Sequence, residues 1–259
     1  MKNLPLPFET RVISGIEVNS YEVRLPHLPP EADGLRMLQI SDLHRGCGNS
    51  DALIERMIDV VGELAPDLIA LTGDFVDEKA ADIRPVVEML SKLPECQGMV
   101  GVLGNHDHRG DPGLLEKLLE ESGVCMLHNR NVKLRCGIRF CGVDDMLEGQ
   151  ADFVAALDGI QADEAVIFLS HNPNGVMRLP ANRDILCLAG HTHGGQIVLP
   201  FPSPYFVCRF HLRTRFVHGW YEYRGNRLYV NRGIGVTGIG RHGMRYKCMP
   251  EISIFKLTA

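Results

Sequence analysis

Five times in this chain a short apolar run stops at an aspartate, a histidine or an asparagine. The runs are Leu35–Ile40, Leu68–Thr72, Gly98–Leu103, Val166–Leu169 and Ile185–Ala189. Each has the length of a strand, and near-continuous apolarity marks a strand covered on both faces. The residues just past the runs are of one chemical kind: Asp42 and His44; Asp74; Asn105, His106 and Asp107; His171; and His191 with His193. Between the first two runs, a stretch opening at Ser50 sets Leu53, Ile54, Met57, Ile58, Val61 and Leu64 at helical spacing until Pro66 stops it. Residues 83–93 and 112–122 read as further helices. Strand, helix and strand in succession make a parallel crossover unit. In such α/β sheets the loops after the strands gather at one edge, where ligands bind.

The gathered set holds carboxylates, imidazoles and one amide, and no thiolate. Such donors suit Mn, Fe, Zn or Co rather than a soft-metal site. One closed site needs about four protein ligands, and this set exceeds it, so two divalent ions are expected. Ions about 3.5–4 Å apart need a shared ligand, and Asp74, alone after Gly73, is the candidate bridge. His191 and His193 lie one residue apart, with Gly190 before them and Gly194 and Gly195 after. Past a strand end, that turn can bring both rings to a shared site, one to each ion.

The chain of 259 residues reads as one domain over 1–259, with the metal-binding motifs in 42–196 and a β-rich part in 197–259. The first thirty residues alternate and read as a hairpin at a sheet edge. A net charge of −5 argues against a general nucleic-acid binder, and no sequence-specific nucleic-acid binding is expected. Locally the balance reverses: residues 205–247 carry nine Arg and Lys, Arg241 among them, against one acid, Glu222. The eight cysteines form no CxxC pair and several sit in apolar runs, as buried thiols of a reducing cytoplasm would. No secretory apolar segment and no run of about 18 apolar residues is present. The expected location is cytoplasmic, with peripheral membrane contact as a hypothesis. Leu199–Phe210 reads as a proline-braced loop packed on the second sheet. Its alternative is an apolar lip with basic neighbours, suited to an amphiphile or a membrane surface. His27, His108, His128, His211, His218 and His242 lack ligand context and read as surface or structural, although His108 could line the cleft.

The ordered blocks Asp42-x-His44, Gly73-Asp74, Gly104-Asn-His-Asp107, His171 and Gly190-His-x-His193 resemble the calcineurin-like metallophosphoesterase superfamily. Gly194-Gly195-Gln196, Asn231-Arg-Gly-Ile-Gly235 and Pro250-Glu-Ile-Ser-Ile254 resemble its bacterial YkuE/YaeI-type phosphodiesterase subgroup. The resemblance implies a four-layer α/β/β/α sandwich with two mixed sheets flanked by helices. It implies one metal (Mn, Fe or Zn, with Mn expected to serve in vitro) on Asp42, His44, Asp74 and His193. A second would take Asp74, Asn105, His171 and His191. A bridging hydroxide would attack phosphorus in line. His106 would assist at the phosphate or leaving oxygen, oriented by Asp107. Arg45, where the subgroup often has an aliphatic residue, reaches substrate phosphate or faces solvent. The expected substrate is a phosphodiester or pyrophosphate, the latter of the UDP-2,3-diacylglucosamine type used in lipid A synthesis, and possession of the whole set speaks against a non-catalytic interaction scaffold.

Overall fold

The apolar runs become strands of two sheets in the computed structural model, which describes residues 7–201, 203–238 and 243–259. The first sheet holds β1 (Glu9–Ile13), β2 (Ile16–Arg24), β3 (Arg36–Ile40), β4 (Leu68–Leu71), β5 (Gly98–Gly101), β6 (Val124–Met126) and the final strand β13 (Glu251–Thr258). Its spatial order is β1-β2-β13-β3-β4-β5-β6. The second holds β7 (Arg130–Lys133), β8 (Arg139–Gly142), β9 (Val166–Leu169), β10 (Leu186–Ala189), β11 (Gly219–Tyr223) and β12 (Asn226–Val230), in the order β11-β12-β10-β9-β8-β7. Both are mixed: β3, β4, β5 and β6 run parallel, as do β8, β9, β10 and β12, and the outer pairs β1–β2, β7–β8 and β11–β12 are antiparallel hairpins.

Period-two alternation explains the layering. Along β9, Ile167 and Leu169 face the space between the sheets, and Val166 and Phe168 face the outer layer. Along β10, Leu186 and Leu188 face in, and Cys187 and Ala189 face out. Each buried Leu, Ile or Phe contributes about 1.5–3 kcal/mol of transfer free energy, so a one-residue slip would forfeit both faces at once. On the far side of the first sheet lie helices α1 (Ser50–Leu64), α2 (Ile83–Leu90) and α4 (Pro112–Glu121); α3 (Asn105–Arg109) follows β5, and α5 (Phe153–Ala156) comes after β8 in the chain, its Ala156 joining the core outside the second sheet. α1 buries Leu53, Ile54, Met57, Val60, Val61 and Leu64 against Leu38 and Ile40. The expected four-layer sandwich is the fold found.

One expectation changes. The part 197–259 carries β11, β12 and β13, and Pro204 also opens a helix there, α6 (Pro204–Phe210), at the position where a proline's fixed φ favours one. Leu199–Phe210 is therefore not a loop packed away: Phe201, Tyr205, Phe206 and Phe210 are 83%, 53%, 49% and 61% exposed, while Cys208 is buried. About two turns of amphipathic helix set Cys208 inward and Tyr205, Phe206 and Phe210 outward. All eight cysteines are free. No helix among the described residues is long and apolar enough to cross a membrane. Arg241 and His242 lie outside the described residues.

Candidate metal centre

The carboxyl ends of β3, β4 and β5 in one sheet and of β9 and β10 in the other open onto the same place. Asp42, His44, Asp74, Asn105, His171, His191 and His193 are all buried there. Their turns are tied to one another by the backbone: Asp42 N–H donates to Gly73 O (2.9 Å), His44 N–H to Asp74 O (3.0 Å), and Gly190 N–H to His171 O (3.0 Å). Such ties are needed. Asp42, His44, Asp74, His191 and His193 stand at φ of 51°, 44°, 55°, 73° and 51°, a left-handed region that costs a non-glycine residue about 1–2 kcal/mol. Two glycines are required by close approach. A Cβ on Gly104 would collide with the Asp74 carboxylate, and one on Gly190 with Ser41 and Asp42.

Three groups of ligand atoms result among the described residues, each with its atoms within 4.8 Å of one another: Asp42, His44 and His193; Asp74, His171 and His191; and, beside the first, His44, Asp77 and His106. Asp74 joins the first two. Its Oδ2 lies 3.3 Å from His44 Nε2 and 3.1 Å from His171 Nε2. His193 Nε2 lies 3.3 Å from Asp42 Oδ1 and 2.9 Å from His44 Nε2. Two buried polar atoms at the centre, Asn105 Oδ1 and His191 Nε2, make no hydrogen bond. A buried acceptor without a partner costs roughly 1–3 kcal/mol, and here both are lone-pair donors suited to a divalent cation. The residues fit the pair of ions that the sequence implies.

The surroundings prepare these rings. His171 Nδ1–H donates to Thr72 O (2.7 Å), and His44 Nδ1–H donates to Asp77 Oδ1 (3.2 Å). Each bond fixes the tautomer that turns Nε2 to the centre. Burial alone would raise the Asp42 and Asp74 carboxyls, but the facing histidines hold both well below the usual carboxylate range. Burial opposes the charge on His44 and His171, yet the facing acids, Asp74 foremost, raise the first to about 9 and the second well above its ordinary value. Burial pushes His191 and His193 down to about 4. Without cations, protons on His44 and His171 neutralise the buried acids.

His106 lines a cavity of about 310 Å³ together with Asn105, His191, His193, Arg109, Leu147 and His211. His211, expected to be surface or structural, is therefore at the cleft. His108 does not line it; its Nε2 lies 2.7 Å from Asp144. Asp107 does not orient His106. Its carboxylate accepts the backbone N–H groups of Asp74 (2.9 Å), Phe75 (2.8 Å), Val76 (3.1 Å) and Gly104 (2.8 Å). Standing at the third position of α3, it caps that helix and splices it to the β4 turn. Burial and the Asp74 charge push its carboxyl up to about 7, against the pull of those N–H groups. The residue that does hold His106 is Asp77, three positions after Asp74. Arg45 neither faces free solvent nor reaches the centre, for its guanidinium pairs with Asp82 and with Asp51 (3.1 Å). Asp145, after the end of β8, was also missed. One of its oxygens accepts the N–H groups of Leu147 and Glu148 and the other is buried without a hydrogen bond.

The profile of the calcineurin-like phosphoesterase family matches residues 35–195. The uncharacterized metallophosphoesterase YkuE of Bacillus subtilis (strain 168) is 30% identical over 251 residues, spanning 94% of this chain and 86% of that protein. YkoQ of the same organism, likewise named an uncharacterized metallophosphoesterase, is 27% identical over 252 residues, 93% of this chain and 90% of that protein. The transmembrane protein with metallophosphoesterase domain from Bos taurus is 31% identical over 93% of this chain, which spans 57% of that protein. A family match over more than half the sequence falls on the turns that carry the buried aspartates and histidines, and the chain belongs to the calcineurin-like phosphoesterase family.

Proposed function

We propose that this metal-dependent phosphoesterase is a phosphodiesterase working through two divalent cations. The observation that carries the reading is Asp74 Oδ2, set 3.3 Å and 3.1 Å from imidazole nitrogens of two different ligand groups. Asp42, His44, Asp74 and His193 would hold one cation, and Asp74, Asn105, His171 and His191 the other. Two such ions supply a water acidic enough to yield hydroxide near neutral pH, and positive charge against the phosphate oxygens.

The chain's own groups do the rest. His106 Nδ1–H donates to the Asp77 carbonyl oxygen (2.6 Å), which leaves Nε2 for the cavity the ring lines. When the ring is protonated, Nε2–H donates to a phosphate oxygen or passes its proton to the leaving oxygen. Burial lowers the pKa of this ring, so the proton is readily given up. Arg109 lines the same cavity, with its guanidinium held by Glu78 (3.1 Å) and Glu148 (3.3 Å). Leu147 and Leu212 beside it make an apolar wall against which the second ester group of a diester can rest.

The exposed aromatics of α6 favour one narrower reading, an amphiphilic pyrophosphate of the UDP-2,3-diacylglucosamine type. The complete ligand set with His106 supports catalysis over a scaffold role. The test is hydrolysis of bis(p-nitrophenyl) phosphate beside p-nitrophenyl phosphate, by metal-stripped protein, by protein reloaded with Mn²⁺, and by His106→Ala and Asp74→Asn variants. The expected outcome is Mn-dependent diester cleavage, lost on stripping and reduced about 10²–10⁴-fold by His106→Ala. Preference for the monoester would overturn the diester assignment. Absence of bound metal after reloading would overturn the centre.

A further inference from the structure

We propose that α6 is a docking element for an anionic phospholipid surface, with its aromatic side chains entering the headgroup layer and Arg209, Arg213 and Arg215 holding lipid phosphates. The apolar half is continuous. Ring centroids of Phe206 and Phe210 lie 4.4 Å apart, and those of Phe201 and Phe206 lie 6.4 Å apart. Such a patch standing in water is costly, and aromatic rings are suited to the boundary between headgroup and acyl chain.

The cationic half adjoins it. A cavity of about 450 Å³ is lined by Arg209, Arg213 and Arg215 with Asn174, Thr214 and Tyr223. All three arginines are exposed. Arg215 is braced over the rings of Phe216 (5.2 Å) and Tyr223 (5.3 Å), which sets a guanidinium in place without neutralising it. Among the described residues no carboxylate pairs with any of the three. By contrast, Arg109, Arg130, Arg139, Arg227 and Arg232 each face one. Planar guanidinium groups with unused donors match phosphate oxygens. The net charge of the chain is −5, so attraction to an anionic surface is confined to this side and orients the molecule.

Three observations favour a bilayer over other occupants. A soluble anion would fill the arginine cavity and leave the aromatic ridge in water. A second copy, across a two-fold axis, would bring like guanidinium clusters together. And the inner side of α6 supplies Cys208 to the wall of the catalytic cavity, with His211 and Leu212 just after it, so docking sets the mouth of that cavity at the lipid surface. Binding does not require hydrolysis, so the two readings fail separately.

The test is co-sedimentation of the full metal-loaded chain with vesicles of phosphatidylcholine, with and without phosphatidylglycerol, at low and high salt. Binding is expected only with phosphatidylglycerol, and weaker at high salt. Arg209→Gln with Arg213→Gln should weaken partitioning about thirtyfold, from roughly 1 kcal/mol per basic residue. Phe206→Ser with Phe210→Ser should also release the protein while its Tm and circular dichroism stay unchanged, which shows that the variant is folded. No binding at low salt, or equal binding by wild type and both variants, overturns the proposal. So does a dimer in sedimentation velocity that the Phe206 and Phe210 changes abolish, or saturation by inorganic phosphate of a chain that ignores the vesicles.

Discussion

Asp77 meets His106 twice: the ring's Nδ1 lies 2.6 Å from the Asp77 carbonyl oxygen and 3.5 Å from its Oδ1. The same Oδ1 lies 3.2 Å from Nδ1 of His44. One acid therefore steadies a ligand ring and the ring beside the cavity. Asp77→Asn should lower kcat about 10–100-fold, the range for lost partners of metal-site histidines, with a smaller change in KM. Steady-state kinetics and elemental analysis would check it. An unchanged kcat with full metal content would dismiss the role.

Asp107 is expected to behave differently, because it touches backbone and not His106. Its carboxylate takes four N–H groups. An asparagine there has one acceptor oxygen and sets an NH₂ against the remaining donors. Asp107→Asn should cost about 2–4 kcal/mol of stability, read by urea denaturation of the metal-loaded protein. A normal stability with kcat lost would instead restore Asp107 as an orienting group.

Loading the centre should expel protons. His44 is raised to about 9 and His171 well above its ordinary 6.5, so both are charged at pH 7 without metal, and ligation takes the neutral ring. Calorimetric titration of Mn²⁺ into stripped protein should give an apparent enthalpy that varies with the buffer's ionisation enthalpy. Loading at a hundred times Kd should add about 2.7 kcal/mol of stability, seen as a raised Tm. Buffer-independent heats would contradict the protonated rings.

The pair His108–Asp144 gives a separate pH signature. Against burial, the His108 ring and the Gln150 N–H hold Asp144 down at about 2, below its ordinary 3.8. That contribution is present above about pH 4 and is lost as pH falls toward 2. The Asp144 hydrogen bond raises His108 above its ordinary 6.5. Its contribution is full below pH 6.5 and is lost as pH rises through the folded value. The stability difference between wild type and His108→Gln should peak between about pH 4 and 6.5. A difference flat across pH would refute the ion pair.

Arg45→Met should leave KM for the diester unchanged, since Asp82 and Asp51 already hold the guanidinium. The cost should fall on stability, roughly 1–2 kcal/mol for charged hydrogen bonds lost. A raised KM with normal stability would return Arg45 to the substrate.

The strands that build the centre were legible because each combines an apolar run with a polar stop, a pattern that local chemistry alone dictates. So were the seven side chains that lie buried together at the strand ends. What escaped depends on where turns point. Asp77 is close enough to Asp74 to have been suspected, yet nothing in Gly73-Asp74-Phe75-Val76-Asp77 says which acid faces His106 and which faces backbone. Asp107, next to His106 in sequence, is directed away by the first turn of α3. The three residues of β6 (Val124–Met126) are too few to show a period. α6 was hidden because Pro200, Pro202 and Pro204 read as a loop, although one proline can equally open a helix.

Of the seven side chains gathered at the strand ends, five stand on left-handed backbone. Their direction is a property of the turn that carries them, and the turns are held in that shape by bonds to one another. Anyone transplanting this centre onto another scaffold would find the residue names insufficient. The same aspartates and histidines on relaxed strand ends would be the right donors aimed at the wrong point. The portable unit is the set of interlocked turns, and a host must be able to bear their strain before it can bind anything.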